Sequence, residues 1–303
     1  MKFIYYKRSE EKELGFLKDH ETIVPLASFL ESMGKVGIKD MNDFINQMSE
    51  TDLDKLFEVI KEGEGKSEGV SLSSVKILAP IEHPKRHIFC LGKNYMDHAK
   101  ETKGLPGGSD DLPKFPIYFA KIANPAIGHE DNIMAFPELT DKVDYEVELA
   151  VIIGKDGINI SKENAENHIF GYTIVNDISA RNIQRKHGQW FKGKSLETYC
   201  PMGPVIVHKS QIPFPVALDI QCLINGEMRQ DSNTDQLIFD IPTVIEDLSK
   251  GMYLRKGDII ITGTPAGVGL GFKPFKFLKP GDEIECRIEG IGSLKNTFGL
   301  EEK

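Results

Sequence analysis

Beyond residue 74 the chain is a succession of short apolar runs, RHIFCLG, PIYFAKI, ELAVIIG, FGYTIVNDI, GPVIVH, ALDIQCLING, DIIITGT and DEIECRIEG. Gly, Pro, Asn and Asp punctuate them, which predicts β-strands joined by turns. One amphipathic helix is expected inside this region, IPTVIEDLSKG, ending at Gly251. Before it, the first residues read as a short amphipathic strand pair, followed by the helical patterns MNDFINQM and TDLDKLFEVIKE. The segment KEGEGKSEGVSLSS, 61 to 74, has almost nothing to pack and marks a boundary. The expected organisation is a small N-terminal α/β domain over 1–70 and a β-rich domain over 71–303, α+β as a class.

One strand breaks its own pattern. DYEVELAVII, 144 to 153, ends in a run apolar enough to be buried on both faces, yet it opens with Glu146 and Glu148. Residues two apart share a face of a strand, so the two carboxylates stand side by side. Buried and unpaired, they would be costly; a metal ion, a basic side chain, or solvent exposure would each resolve the conflict. Asp177, at the end of the similar run GYTIVNDISARN, is a third candidate. Three carboxylates without a nearby thiol form a hard oxygen site of the kind that suits Mg²⁺ or Mn²⁺. Pairing with Arg181, Arg185 or lysines at a solvated edge explains the same residues equally well.

Charge and cysteines narrow the classes. A formal net charge of -9 over 303 residues argues against a nucleic-acid binder, which needs a basic face. No apolar run approaches membrane-spanning length, and the charged opening MKFIYYKRSEEKE is neither leader nor anchor, so a cytosolic protein is expected. Cys90, Cys200, Cys222 and Cys286 are widely separated, which points to buried reduced thiols. Two motifs are set aside. GQWFKGKS, 188 to 195, matches the P-loop expression, but no strand precedes it and LETYCPMGP cannot continue as a helix. GVGLG, 267 to 271, is followed by FKPFKFLKPG, which excludes a dinucleotide fold and leaves a turn or an active-site loop.

Taken together, VDYEVELAVIIGK, FGYTIVNDISARNIQ, QWFKGKSLETYCPMGP, NGEMRQDSNT, LSKGMYLRKGDIIITGTPAGVG and FLKPGDEIECRIEGIGSLKN, in this order, resemble the fumarylacetoacetate hydrolase family over about 79 to 298. The resemblance is strongest to two-domain bacterial members acting on acylpyruvates or oxaloacetate. It implies a mixed β-roll fold, a homodimer, and Mg²⁺ or Mn²⁺ on Glu146, Glu148 and Asp177. It also implies a His-Glu pair on a closing element, which LGKNYMDHAKETKG, 91 to 104, matches with His98 and Glu101. Three apart, these share a helix face; Asn94 is expected to cap that helix, Gly104 to end it, and LPGGSDDLP to supply flexible chain. Lys194 matches the family's active-site lysine, while Lys121, Gln184 and Thr264 fall where the family contacts substrate. The implied ligand is a small anionic 2-oxo acid, whose carboxylate and ketone oxygens can chelate a metal. The expected reaction is carbon–carbon cleavage, either acylpyruvate hydrolysis or oxaloacetate decarboxylation. Isomerase, dehydratase and catalytically silent binding roles are the alternatives.

Overall fold

The computed structural model describes residues 1–62, 69–102, 112–123 and 125–299. Its backbone is an eleven-stranded mixed sheet, a five-stranded sheet and a two-stranded ribbon. The centre of the large sheet is the pair Val147–Ile153 and Ile169–Asn176, in which every residue is buried. Both are Val- and Ile-rich, as strands covered on two faces must be. Outward from this pair on one side lie Met202–His208, Lys2–Arg8, Glu11–Leu17, Thr22–Pro25 and Val70–Ser71; Lys76–Ile77 pairs alongside Lys2–Arg8. On the other side lie Ile259–Ile261, Ile88–Gly92 and Ile117–Lys121.

The N-terminal strands are therefore continuous with the sheet of the rest of the chain. Lys2 and Phe3 pair with Val207 and Ile206. Phe3 stacks on Phe170 and packs at a tilt against Phe44, with ring centroids 5.7 and 5.0 Å away, joining the helix Met41–Gln47 to the same core. The five-stranded sheet adds strands the apolar pattern did not single out, Glu227–Asn233 and Gly292–Gly299, whose alternation is too polar to read as apolar runs. The expected helix is present as Ile241–Ser249, capped by Asp240 accepting from Thr243 N–H at 2.9 Å, and Gly251 follows at φ +75°. All four cysteines are free and buried. Among the described residues no helix is long and apolar enough to cross a membrane.

Candidate active site

Strand register assembles the carboxylates. In the central antiparallel pair Val147 faces Asn176 and Glu148 faces Val175, so the next step places Glu146 opposite Asp177. The Asp177 N–H donates to Glu146 O at 2.8 Å, and the Glu146 N–H donates to Asn176 Oδ1 at 3.0 Å. Glu146, Glu148 and Asp177 thus come together with ligand oxygens all within 4.8 Å of one another, each side chain buried. Below them on the same face lie Ala150 and Ile152, fully buried in the core.

Of the three ways to reconcile carboxylates with such a strand, solvent exposure is excluded and basic partners are present. Lys194 Nζ lies 2.5 Å from both Glu146 Oε2 and Asp177 Oδ2. Arg181 bridges Glu146 Oε1 at 2.6 Å and Asp144 Oδ2 at 2.9 Å. Glu148 alone has no salt bridge among the described residues; its Oε2 accepts the Gly263 N–H at 2.7 Å. Burial, reinforced by Asp177 and Glu146, pushes its carboxyl well above the usual carboxylate range. Burial pushes Glu146 the same way, but Arg181 and Lys194 outweigh it and hold the group down at about 2. Burial acts to neutralise Lys194, yet Asp177 and Glu146 raise its pKa, so its ammonium is a permanent charge.

Four buried carboxylates face three buried cations here, Lys121, Arg181 and Lys194, so one carboxylate is in excess. An all-oxygen donor set with that surplus fits a hard divalent cation, for which Glu148 gives up its proton. Glu146, Glu148 and Asp177 are the residues that could hold it.

A cavity of about 360 Å³ opens onto this cluster, lined among others by Glu146, Glu148, Lys194, His98, Gln184 and Thr264. Helix Met96–Glu101 carries His98, whose Nδ1 is 2.7 Å from Glu101 Oε1. Nε2 is then the ring nitrogen left for a ligand. Glu101 Oε2 in turn accepts the Gly267 N–H at 3.0 Å. The GVGLG loop is a cradle for this pair: a Cβ at Gly271 would stand 2.2 Å from Glu101 Oε2, and Gly267 adopts φ +103° with Arg229 O filling the space of a side chain. Asp144 fixes the loop by accepting from Gly269 N at 2.6 Å and Leu270 N at 3.0 Å.

Several expectations change. Lys121 does not line the cavity: it is fully buried, with Nζ 2.9 Å from Asp177 Oδ1 and donating to the carbonyls of Ile178, Lys194 and Tyr199. Its ammonium is turned to Asp177 and the three carbonyls and away from the cavity lining. Asn94 is not the helix cap; Tyr95 holds that place without a side-chain bond, and Asn94 Nδ2 donates to Phe239 O and Thr262 O at 3.0 and 2.8 Å. Gly104 and most of the segment 105–113 lie outside the described residues. Thr264 reaches the cavity wall, but its hydroxyl donates to Val147 O and accepts from Gln230. GQWFKGKS follows the helix Arg181–Lys186, and its lysine is spent on carboxylates. Asp144 went unnoticed in the sequence, and Arg181 was weighed only as a surface partner. The D-x-E-x-E spacing of 144 to 148 was the available signal.

Residues 87–299 match the family model described as fumarylacetoacetate (FAA) hydrolase C-terminal. The chain therefore belongs to the fumarylacetoacetate hydrolase family. It is 54% identical over 229 residues to oxaloacetate tautomerase YisK of Bacillus subtilis, covering 76% of this chain and 75% of that protein. The solved fumarylacetoacetate hydrolase of Exiguobacterium antarcticum superposes with a TM-score of 0.83 at 35% identity, covering 99% of this chain and all of that one. Maleylpyruvate hydrolase from Sphingobium sp. SYK-6, solved with manganese(II) and pyruvate, gives a TM-score of 0.77 at 26% identity over the full length of both.

Proposed function

We propose that the protein is a Mg²⁺- or Mn²⁺-dependent enzyme that interconverts the keto and enol forms of oxaloacetate. The observation that carries this is one cavity holding a carboxylate-oriented histidine, a permanently charged lysine and a three-carboxylate cluster. A divalent cation on Glu146, Glu148 and Asp177 would supply Lewis-acid polarisation of a 2-oxo acid. The protein's own groups carry the proton. His98 Nε2 takes a proton from C3, and the C–H electron pair forms the C2–C3 double bond. The C2 oxygen then carries the negative charge, which the Lys194 ammonium faces, and protonation of that oxygen gives the enol. Glu101 holds the imidazole by Nδ1 and stabilises the imidazolium between the two transfers. The apolar walls of Leu91, Phe119 and Trp190 limit water around the developing charge.

Tautomerisation is the reading that the similarity to a tautomerase favours. Carbon–carbon cleavage is the second, favoured by the similarity to a hydrolase of an acylpyruvate-type acid. It begins with the same polarisation at C2 and adds departure of the C4 group. The two separate in one assay: oxaloacetate with protein and Mg²⁺, followed by enol absorbance and by carbon dioxide release. Accelerated enol–keto exchange without carbon dioxide supports the first reading, carbon dioxide release supports cleavage of oxaloacetate, and neither signal removes oxaloacetate as the substrate. A homodimer belongs to the same proposal, and a monomeric mass in sedimentation would remove it.

A further inference from the structure

The cavity changes sign from floor to mouth. Its buried lining is Glu146 and Glu148 with Lys194, while Lys93, half-buried, and Arg185, exposed, line it nearer solvent. The helix Arg181–Lys186 produces this gradient by presenting Arg181, Gln184 and Arg185, at i, i+3 and i+4, to one cavity. Arg181 is locked by Asp144 and Glu146, and its Nη1 donates to Gln184 Oε1 at 3.3 Å. Arg185, the last on that face, is exposed and has no ion pair or side-chain hydrogen bond among the described residues. In a protein carrying 46 acidic residues, an exposed guanidinium that lines a cavity and has no carboxylate partner among the described residues is suited to receive an anion. Lys93, on the facing segment, lines the rim at φ +54°, a conformation that costs energy for a residue with a side chain and is typical of ligand sites.

We infer that Arg185 selects dicarboxylic over monocarboxylic 2-oxo acids by binding the carboxylate remote from the keto group. This rests on the 2-oxo acid reading above. With the keto acid end at the floor, a second carboxylate on a short chain points to the rim. Arg185 offers it two parallel N–H donors, whereas a monocarboxylic acid leaves them to water. The residue is a specificity determinant and takes no part in proton transfer.

The test is calorimetric titration of the Mg²⁺-loaded full chain with oxaloacetate and with pyruvate, in wild type, Arg185→Gln and Arg185→Lys. Loss of a charged hydrogen-bond partner should weaken oxaloacetate about 10- to 100-fold while leaving pyruvate unchanged. Lysine, a point charge without the fork, should restore part of the difference. Equal weakening of both acids, or no change in the oxaloacetate affinity, overturns the inference. Because binding is read without turnover, a wild type that binds oxaloacetate selectively but does not convert it would remove the proposed reaction and leave the role of Arg185 intact. A wild type that shows no preference for the dicarboxylate would overturn the role itself.

Discussion

Lys121 Nζ lies 2.9 Å from Asp177 Oδ1, and neither side chain has any exposed surface. The lysine sits on the core side of the carboxylate cluster, where its three backbone carbonyl acceptors fix it. Replacing it with the near-isosteric methionine would leave Asp177 with one cation where it has two. Removing one partner of a buried pair costs roughly 3–5 kcal/mol. Lys121→Met should therefore lower the unfolding midpoint markedly, and Mn²⁺ should stabilise the variant more than it does wild type. An unchanged midpoint would show that Asp177 does not depend on Lys121.

Glu148→Gln should behave in the opposite way. Burial and the neighbouring Asp177 and Glu146 push this carboxyl towards its neutral form, and a neutral amide of the same shape removes the repulsion between the carboxylates. Stability without metal should stay within about 1 kcal/mol of wild type or rise. Metal affinity should fall, because the amide cannot become an anionic ligand. Calorimetry with Mn²⁺ checks both halves, and undiminished affinity would eliminate Glu148 as a ligand.

A separate prediction concerns pH and lies away from the cavity. His208 packs edge-on against Phe57 and Phe170, with centroids 5.1 and 5.6 Å away. Burial, then the N-terminal amine and Lys209, push its pKa down to about 4. The unfolded chain binds this proton near 6.5, so the folded state is favoured fully above that pH. Stability should fall as pH drops from about 6.5 through about 4, by up to roughly 3 kcal/mol. His208→Gln should flatten the slope of the unfolding midpoint in that window. A variant with the wild-type slope would assign the acid sensitivity elsewhere.

The strands from 87 onward were legible because buried strands are continuous apolar runs, and the pair of glutamates was legible because it violates one. Register was not: that Asp177 falls directly across from Glu146 depends on pairing between strands separated by residues 154–168. The same is true of Lys121, whose place in an apolar strand left its direction open until the neighbouring carbonyls of Ile178, Lys194 and Tyr199 closed around it. Polar strands such as Glu227–Asn233 were hidden because Gln230 alone of its residues is buried, although it forms a hairpin with Asp219–Ile224 across the turn Asn225-Gly226. The N-terminal region reads as a separate unit by composition, yet its first strand completes a sheet whose next member is Met202–His208.

In the proposed reaction His98, oriented by Glu101, moves the C3 proton of a 2-oxo acid bound over the carboxylate cluster. The direct measurement is the rate of enol-to-keto conversion of oxaloacetate by Mg²⁺-loaded His98→Ala against wild type, with Mn²⁺ affinity measured on the same samples. A positioned base contributes about 10²–10⁴-fold, so the variant should lose that factor and keep its metal affinity. A variant that converts the enol at the wild-type rate, with its metal affinity intact, would contradict the assignment of His98 as the proton carrier.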